Sequence, residues 1–496
     1  MSTSAPVIEK IEAKIEHTLQ EWPVPGGAVA ILQDGQVVSC RGYGVTELEG
    51  NNPVSGETLF PIGSCTKAFT AAALGMMVDE GKLDWDDKVI CYLPDFQLAD
   101  EWVTREITIR DLLCHRSGLG RAIRLMTRQS VFDSQDFVRR MRYLPFKSGF
   151  REKFGYNNPH FVTAGLILEA VSGRSWAEFI RQRIFQPLDM ASSYTSYGDM
   201  QAAGPASQAQ PHAAACELFF PSELCALDPV QRIPWTDYGE NAAGSILSTA
   251  ADLSHWLQFL MYGSYNGQQL IQANTLAEIL APQTLIRPGD SEMDMLFAAG
   301  IPTRFITYGL GWYVSDYRGE VFIFHPGQLN GFVAAIAYSP QKKIGGIILL
   351  NTYQTMVHAM IGYDLIDALS GHESDYAHTL YGMLQQWHRE AAAGAQQMQA
   401  GRPPAGPPAV DAACCGQYVS DLYGEVHISL ENGLLHFQYG ETPLYLGTLE
   451  PWQGQTFVIR YRQPYLDPEF LTFQPAENGQ VGALVIDNVD TFHKTA

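Results

Sequence analysis

The stretch FPIGSCTK, residues 60–67, is followed at once by the apolar run AFTAAALGMMV, residues 68–78. On a helix, Ser64 and Lys67 lie three residues apart and share one face. A serine hydroxyl is a poor nucleophile until a base takes its proton, and an apolar setting such as this run lowers the pKa of a lysine. The first turn of a helix adds free backbone N–H groups that stabilise an oxyanion. The stretch therefore predicts a helix over residues 64–80 that begins at a nucleophilic serine.

A second Ser-x-x-Lys pattern, SPQK at residues 339–342, competes with the first. It contains a proline and follows a predicted strand, so we interpret Ser339 as part of a structural turn. The chain has no G-x-S-x-G sequence, which argues against an α/β-hydrolase. Ser64 is therefore the candidate nucleophile.

Two further motifs follow in order along the chain. Tyr-x-Asn occurs once, at Tyr156 to Asn158, and His-x-Gly occurs once, at His325 to Gly327. Together with Ser64 to Lys67, they resemble the three motifs of the serine β-lactamase and D-alanyl-D-alanine peptidase superfamily, in its class C and esterase branch. The resemblance covers about residues 7 to 370. It implies an α+β domain, in which an antiparallel sheet is flanked by helices and accompanied by an all-helical part.

The resemblance also implies a role for each motif residue. Ser64 attacks the carbonyl carbon of the substrate, and Lys67 and Tyr156 transfer the protons. The backbone N–H groups of Ser64 and of Gln328, which follows the third motif, form the oxyanion hole. Asn158 hydrogen-bonds either Lys67 or the substrate amide. The implied reaction passes through an acyl-enzyme and needs neither a cofactor nor a metal ion.

His325 stands where penicillin-targeted relatives carry a lysine. A histidine has an unperturbed pKa of ~6.5 and is only partly charged at neutral pH, so it holds a substrate carboxylate less firmly. His115, by contrast, lies between a predicted helix and a turn, and we interpret it as structural. We therefore predict a peptidase or amidase that acts on short peptides or peptide-like compounds. A carboxylesterase, a β-lactamase, an acyltransferase and a penicillin-type sensor that never releases its acyl group remain alternatives.

The composition changes toward the C-terminus. Residues 391–410 are low in charge and rich in Ala, Gly, Gln and Pro, which predicts a linker. This linker separates a hydrolase domain over residues 1–390 from a second domain over residues 411–496. In the second domain apolar and polar residues alternate, and Glu431-Asn432-Gly433 supplies a turn. The pattern predicts a small all-β domain, either a sandwich or a barrel.

The chain carries 53 acidic and 32 basic residues, for a formal net charge of -21. Nucleic acids and anionic lipid surfaces repel such a chain, so we predict neither a nucleic-acid nor a membrane partner. The first 22 residues lack the basic start and apolar core of a secretory signal, which predicts a cytoplasmic protein. The predicted partner is a small-molecule or short-peptide substrate, and formation of a homo-oligomer stays open.

Overall fold

The computed structural model of the protein describes residues 5–120, 133–214, 230–237, 239–290, 294–353, 356–400, 412–440, 443–463, 465–477 and 479–495. The chain forms two compact units. The first unit comprises Met1–Ala213 and Arg232–Tyr381, and the second comprises Ala214–Gln231 and Gly382–Ala496. The division near Tyr381 therefore precedes the linker that composition predicts.

Eight antiparallel strands form the main sheet of the first unit. The strands described up to residue 350 are β1 (Gly26–Gln33), β2 (Gln36–Gly44), β3 (Phe60–Pro61), β4 (His212–Ala214), β5 (Val230–Arg232), β6 (Leu247–Ser248), β7 (Thr284–Ile286), β8 (Thr303–Tyr308), β9 (Tyr313–Tyr317), β10 (Glu320–Leu329), β11 (Phe332–Ser339) and β12 (Ile344–Leu350). The sheet has the order β2-β1-β12-β11-β10-β9-β8-β7, and the short strands pair separately as β3-β6 and β4-β5. Strand β1 pairs with β12 in the register Gly27↔Leu350, so strands from the two ends of the unit close one sheet.

Helices cover both faces of this sheet. The helices that the structure describes are α1 (Ala5–Glu21), α2 (Thr66–Asp79), α3 (Glu101–Glu106), α4 (Ile109–Leu113), α5 (Ser134–Arg140), α6 (Asn158–Ser172), α7 (Trp176–Ile180), α8 (Tyr197–Ala203), α9 (Ala250–Tyr262), α10 (Ala273–Ile279), α11 (Asp294–Ala298), α12 (Val357–Leu369) and α13 (Tyr376–Ala400). Gly345 and Gly346 are neighbours on β12 and point to opposite faces, Gly345 toward Met261 of α9 and Gly346 toward Leu365 of α12. This double cover explains why β11 and β12 are buried along their whole length.

Helix α2 is the centre of the helical part of the first unit. It packs against α6, α7 and α10, and every residue from Thr66 to Met77 is buried. A helix that is apolar on all sides belongs in the interior, so the run of Ala, Leu and Met residues determines this position. The observed helix agrees with the predicted one, except that residues 63–65 form a 3-10 turn ahead of it.

The second unit contains a closed barrel of eight antiparallel strands. Its strands are β13 (Gly416–Ser420), β14 (Gly424–Glu431), β15 (Leu434–Tyr439), β16 (Leu446–Gln453), β17 (Thr456–Tyr461), β18 (Glu469–Pro475), β19 (Val481–Ile486) and β20 (Asp490–Lys494). The barrel closes where Tyr418 of β13 pairs with Lys494 of β20. Asn432 and Gly433 have φ values of 51 and 79 degrees, as a two-residue hairpin turn requires. The predicted small all-β domain is confirmed, and it is a barrel.

The structure differs from the predicted linker over residues 391–400. There α13 continues to Ala400, because alanine and glutamine are strong helix formers and their low charge does not prevent a helix. Residues 401–410 of the predicted linker lie outside the described residues. Although α13 has 25 residues, neither it nor any other helix within the described ranges is long and apolar enough to cross a membrane.

Candidate active site

Ser64 lies in the 3-10 turn Gly63–Cys65, directly ahead of α2. All residues from 58 to 77 are described, and Ser64 is the single partly exposed residue among them. The turn requires a left-handed backbone at Gly63, which has a φ of 50 degrees. Ser64 is thus partly accessible just ahead of a helix whose residues Thr66 to Met77 are shielded from water.

Lys67 is the second residue of α2, is completely buried and points back toward Ser64. Its Nζ donates hydrogen bonds to Ser64 Oγ at 3.0 Å and to the carbonyl O of Ala243 at 2.8 Å. Sequence reasoning did not identify Ala243 as a site residue, because a backbone carbonyl leaves no trace in the side-chain pattern. The structure therefore brings the first two predicted catalytic residues into direct contact and adds a third group that orients the amine.

Tyr156 lies on the loop before α6 and is nearly buried, with 9% of its surface exposed. The Lys67 Nζ atom lies over its ring, 4.9 Å from the centroid, and 5.5 Å from the ring centroid of Phe161. An ammonium or amine over an aromatic face is attracted by the ring electrons. The second motif is therefore adjacent to the first, as the sequence predicts.

The third motif lies on β10, beside the turn that carries Ser64. A Cβ atom on Gly327 would lie 1.9 Å from the Ile62 carbonyl O, and a Cβ atom on Gly63 would lie 2.8 Å from the Gln328 N. Only glycine permits backbones to approach this closely. The Cys65 thiol also donates a hydrogen bond to the His325 carbonyl O at 3.2 Å. The Gln328 amide is thereby held next to the residue that precedes the candidate nucleophile.

His325 is fully buried, and both of its ring nitrogens have hydrogen-bond partners. Nδ1 lies 2.7 Å from the Pro326 carbonyl O, and Nε2 lies 2.8 Å from the Tyr308 hydroxyl. Burial, with a smaller contribution from the charge of Lys67, lowers the pKa of His325 to about 3. Because a carbonyl only accepts, Nδ1 carries the single proton of this neutral ring, and Nε2 accepts from Tyr308. The expected partial charge on His325 is therefore wrong, since burial keeps the imidazole neutral at physiological pH.

Asn158 is the first residue of α6. Its Oδ1 atom is buried and accepts no hydrogen bond from any described residue, so it accepts none from Lys67. The sequence predicts that Asn158 hydrogen-bonds either Lys67 or the substrate amide. The hydrogen bond to the substrate amide stays a prediction. A buried amide oxygen without a partner costs about 1–3 kcal/mol, which a bound N–H donor offsets.

Comparison with known protein families gives two matches along the chain. The Beta-lactamase family profile matches residues 11–370, which carry all three motifs. The chain belongs to the beta-lactamase family. A domain of unknown function (DUF3471) matches residues 402–495, which include the barrel. The family assignment agrees with the resemblance inferred from the three motifs and with the observed sheet and helices.

Curated members of the beta-lactamase family align over most of this chain. The unguisins hydrolase ungD' of Aspergillus campestris is 30% identical over 378 residues, which are 73% of this chain and 65% of that protein. The unguisins hydrolase ungD of Aspergillus violaceofuscus is 29% identical over 466 residues, 87% of this chain and 79% of that protein. Protein flp of Staphylococcus aureus is 25% identical over 359 residues, 71% of this chain and 65% of that protein. The chain therefore spans less than two thirds of the length of the first and third relatives.

Several solved structures share the fold of this chain. An octameric penicillin-binding protein homologue from Pyrococcus abyssi superposes with a TM-score of 0.62 at 22% identity, covering 98% of this chain and 99% of that one. A D-amino acid amidase from Ochrobactrum anthropi SV3 superposes with a TM-score of 0.59 at 22% identity, covering 73% and 98%. At this identity the likeness establishes the β-lactamase fold and nothing further.

The chain thus belongs to the beta-lactamase family, and its three sequence motifs lie next to one another in the first unit. Among the described residues, no group of three or more His, Cys, Asp or Glu side chains is arranged to hold a metal ion. What the site offers is an accessible hydroxyl, a buried amine, a phenol and converging backbone amides, which are the groups that acyl transfer uses.

Proposed function

We propose that the protein is a serine hydrolase that forms an acyl-enzyme on Ser64 and acts on short peptides or peptide-like amides. The observation that carries the proposal is the 3.0 Å hydrogen bond between Lys67 Nζ and Ser64 Oγ. A buried amine in contact with an accessible hydroxyl is the arrangement that nucleophilic catalysis requires. A binding module has no use for this contact.

In the acylation step, Ser64 Oγ attacks the carbonyl carbon, and its proton passes to the pair formed by Lys67 and Tyr156. The N–H groups of Ser64 and Gln328 stabilise the oxyanion that develops on the carbonyl oxygen. The tetrahedral intermediate then collapses and breaks the bond to the leaving amine, which takes up the proton. The substrate acyl group remains as an ester on Ser64.

Deacylation repeats the same steps with water as the nucleophile. Tyr156 takes a proton from the water as it attacks the ester carbonyl, and the oxyanion again faces the two backbone amides. Collapse of the second intermediate breaks the ester bond, and the proton returns to Ser64 Oγ. Each cycle consumes one water molecule and leaves the side chains unchanged.

The neutral His325 bears on the class of substrate. A fixed cation at the third motif holds a substrate carboxylate, whereas this imidazole is buried, uncharged and hydrogen-bonded to Tyr308. This favours acyl compounds that are neutral next to the scissile bond. The same observation supports the alternative of a carboxylesterase, whereas the unpartnered Oδ1 of Asn158 favours an amide, which has an N–H to donate. The uncharged His325 imidazole gives less support to the remaining alternatives, which are a β-lactamase, an acyltransferase and a sensor without turnover.

Two hydrolases of unguisins among the relatives are in line with a hydrolytic role for this chain. The division into a hydrolase domain over residues 1–390 and a second domain over residues 411–496, a cytoplasmic location and self-association stay predictions from the sequence.

Covalent labelling tests the proposed nucleophile. A fluorophosphonate should add once per chain, and peptide mapping should locate the adduct on Ser64. Ser64→Ala should abolish the adduct, whereas Ser339→Ala, a matched change in the second Ser-x-x-Lys pattern, should leave it intact. Labelling that persists in Ser64→Ala means that another residue is the nucleophile.

A substrate panel separates the proposed activity from its alternatives. Aminoacyl amides, short peptides, neutral esters and nitrocefin are each followed over many turnovers. Sustained amide turnover above ester turnover supports the peptidase or amidase, and the reverse order supports the carboxylesterase. A single stoichiometric burst followed by no further product identifies a sensor and rules out the hydrolase.

A further inference from the structure

His115 is fully buried in the turn that follows α4. Its φ of 56 degrees is left-handed, a conformation that histidine tolerates better than most residues. The residues on both sides of Tyr156 hydrogen-bond to it. Gly155 N donates to the His115 carbonyl O at 2.8 Å, and Asn157 N donates to His115 Nδ1 at 3.2 Å. The His115 and Tyr156 rings are also in contact, with centroids 4.5 Å apart.

We propose that His115 is a positioning residue, which fixes the backbone on both sides of Tyr156, packs against its ring and so sets the distance between the phenol and Lys67. The inference rests on the proposed function, in which Tyr156 accepts the proton of the nucleophile. His115 acts through Tyr156 rather than on the substrate. A displacement of a catalytic group by about 1 Å can lower a rate about 100-fold, which is the size of effect that such a contact controls.

The hydrogen bonds define which form of the His115 ring is needed. Because Asn157 N only donates, Nδ1 of His115 is an acceptor and carries no proton. The His160 Nδ1 lies 3.4 Å from the same nitrogen and is therefore the donor of that pair. His160 Nε2 then accepts from the Ser117 hydroxyl, 2.9 Å away. Burial lowers the pKa of His160 to about 3, so its ring stays neutral and keeps this arrangement of protons.

The same two loops are tied together a second time, farther from Tyr156. The buried carboxylate of Asp111 accepts hydrogen bonds from Arg151 at 2.8 Å and from Arg116, and Arg151 N donates to the Arg116 carbonyl O at 2.8 Å. These contacts hold the loops together as a whole. His115, by contrast, contacts the Tyr156 ring and both of its neighbours in the chain, so the two sets of interactions can be separated by mutation.

A matched pair of amide substitutions tests the acceptor at Nδ1. His115→Asn keeps an oxygen at the position of Nδ1 and tolerates the left-handed backbone, whereas His115→Gln moves the oxygen one bond farther out. We expect His115→Asn to keep kcat within about 10-fold of the unmodified protein and His115→Gln to lower it about 100-fold. KM should change little in both, because Tyr156 acts in the chemical steps.

The same pair in a Tyr156→Phe background separates positioning from folding. Without the phenol hydroxyl there is nothing to position, so the kcat difference between Asn and Gln at residue 115 should vanish. A general structural role predicts the same ratio in both backgrounds, and that result overturns the proposal. Activities are normalised to the concentration of folded protein, and thermal melts verify folding. If His115→Gln does not fold, His115→Gly, which allows the left-handed backbone and has no acceptor, replaces it with the same expected loss.

Failure of the positioning role can be distinguished from failure of the hydrolase assignment. Labelling that remains after Ser64→Ala refutes the proposed function. If Ser64 labels and turns over substrate while His115→Asn and His115→Gln are equally active, the proposed function stands and only the positioning role is refuted. Arg151→Ala serves as a control: it loosens the same loops away from Tyr156, and we expect it to lower the melting temperature while kcat changes less than about 3-fold.

Discussion

The two units of the molecule bury very different side chains. The first unit encloses Lys67, Asp111 and the imidazoles of His115, His160 and His325. Apart from tyrosines and Cys414, Ser420 is the one polar side chain that is buried among the described residues of the second unit. Burying charges and imidazoles is unfavourable unless they are paired, and a fold built for stability alone avoids it. Among the described residues, the first unit therefore buries charged and imidazole side chains, and the second unit buries none.

The strands of the two units reflect the same difference. Strands β11 and β12 are apolar along their length because helices cover both faces of their sheet. Strand β14 alternates buried Val426 and Ile428 with exposed Glu425 and His427, because a barrel strand has one face inside and one face in water. In β14 of the barrel, His427 therefore stands outside at a polar position, whereas His115, His160 and His325 of the first unit are buried.

The largest expected effect comes from removing the two residues that we propose transfer protons, Lys67 and Tyr156. Lys67→Ala and Tyr156→Phe should each lower kcat at least about 1,000-fold, and the double variant should reach a similar floor, because both residues serve one proton transfer. Steady-state kinetics on the best substrate of the panel measures all three. Lys82→Ala, a matched change at an exposed lysine just after α2, should stay within about 2-fold of the unmodified protein. A double variant that loses the product of the two single losses contradicts a shared role.

The buried imidazoles should make the first unit sensitive to acid. Burial lowers the pKa of His160, His325 and His358 to about 3, below the ~6.5 of an unfolded chain. The unfolded state therefore binds more protons below pH ~6.5, and the free energy of unfolding falls as the pH drops from there toward 3. By linkage, each histidine removes about 2 kcal/mol by pH 5.

His358 allows this acid effect to be measured away from Ser64. Neither of its ring nitrogens has a hydrogen-bond partner among the described residues, so His358→Leu should raise stability by about 1–3 kcal/mol at pH 7. It should also reduce the slope of unfolding free energy against pH by about 1.4 kcal/mol per unit below pH 6. Urea titrations at several pH values give both quantities. An unchanged slope means that His358 is already protonated in the folded protein.

The smallest expected effect concerns the hairpin turn of the barrel. Gly433 has a φ of 79 degrees with open space around it, so Gly433→Ala introduces backbone strain of about 1–2 kcal/mol without a clash. Gly267 in the first unit has a φ of 77 degrees and equally open surroundings, which makes Gly267→Ala a matched control. Calorimetry should show a lower melting temperature for each variant, with labelling at Ser64 unchanged. If Gly433→Ala loses labelling at Ser64 and Gly267→Ala does not, the proposal that the barrel plays no part in catalysis is contradicted.

Much of the architecture follows from local patterns that the sequence carries. The apolar run after Lys67 determines a buried helix, since no face of it is polar enough to meet water. Alternation with a turn at Asn432 and Gly433 determines barrel-type strands, because the side-chain period of a strand is two. Over residues 391–400, low charge suggests a linker, but the structure has a helix there. The high helix propensity of alanine and glutamine extends α13 to Ala400.

The motif residues could be found for the same reason, because the roles proposed for Ser64, Lys67 and Tyr156 belong to side chains, whose spacing the sequence shows. Their surroundings were decided by tertiary structure. The carbonyl of Ala243 reaches Lys67 across 176 residues of sequence, and Tyr308 and burial together make His325 a neutral imidazole. His115 acquires its contact with Tyr156 because two loops meet. A pKa or a positioning contact depends on which distant groups surround an atom and how much water they exclude, and no local pattern in the sequence specifies either.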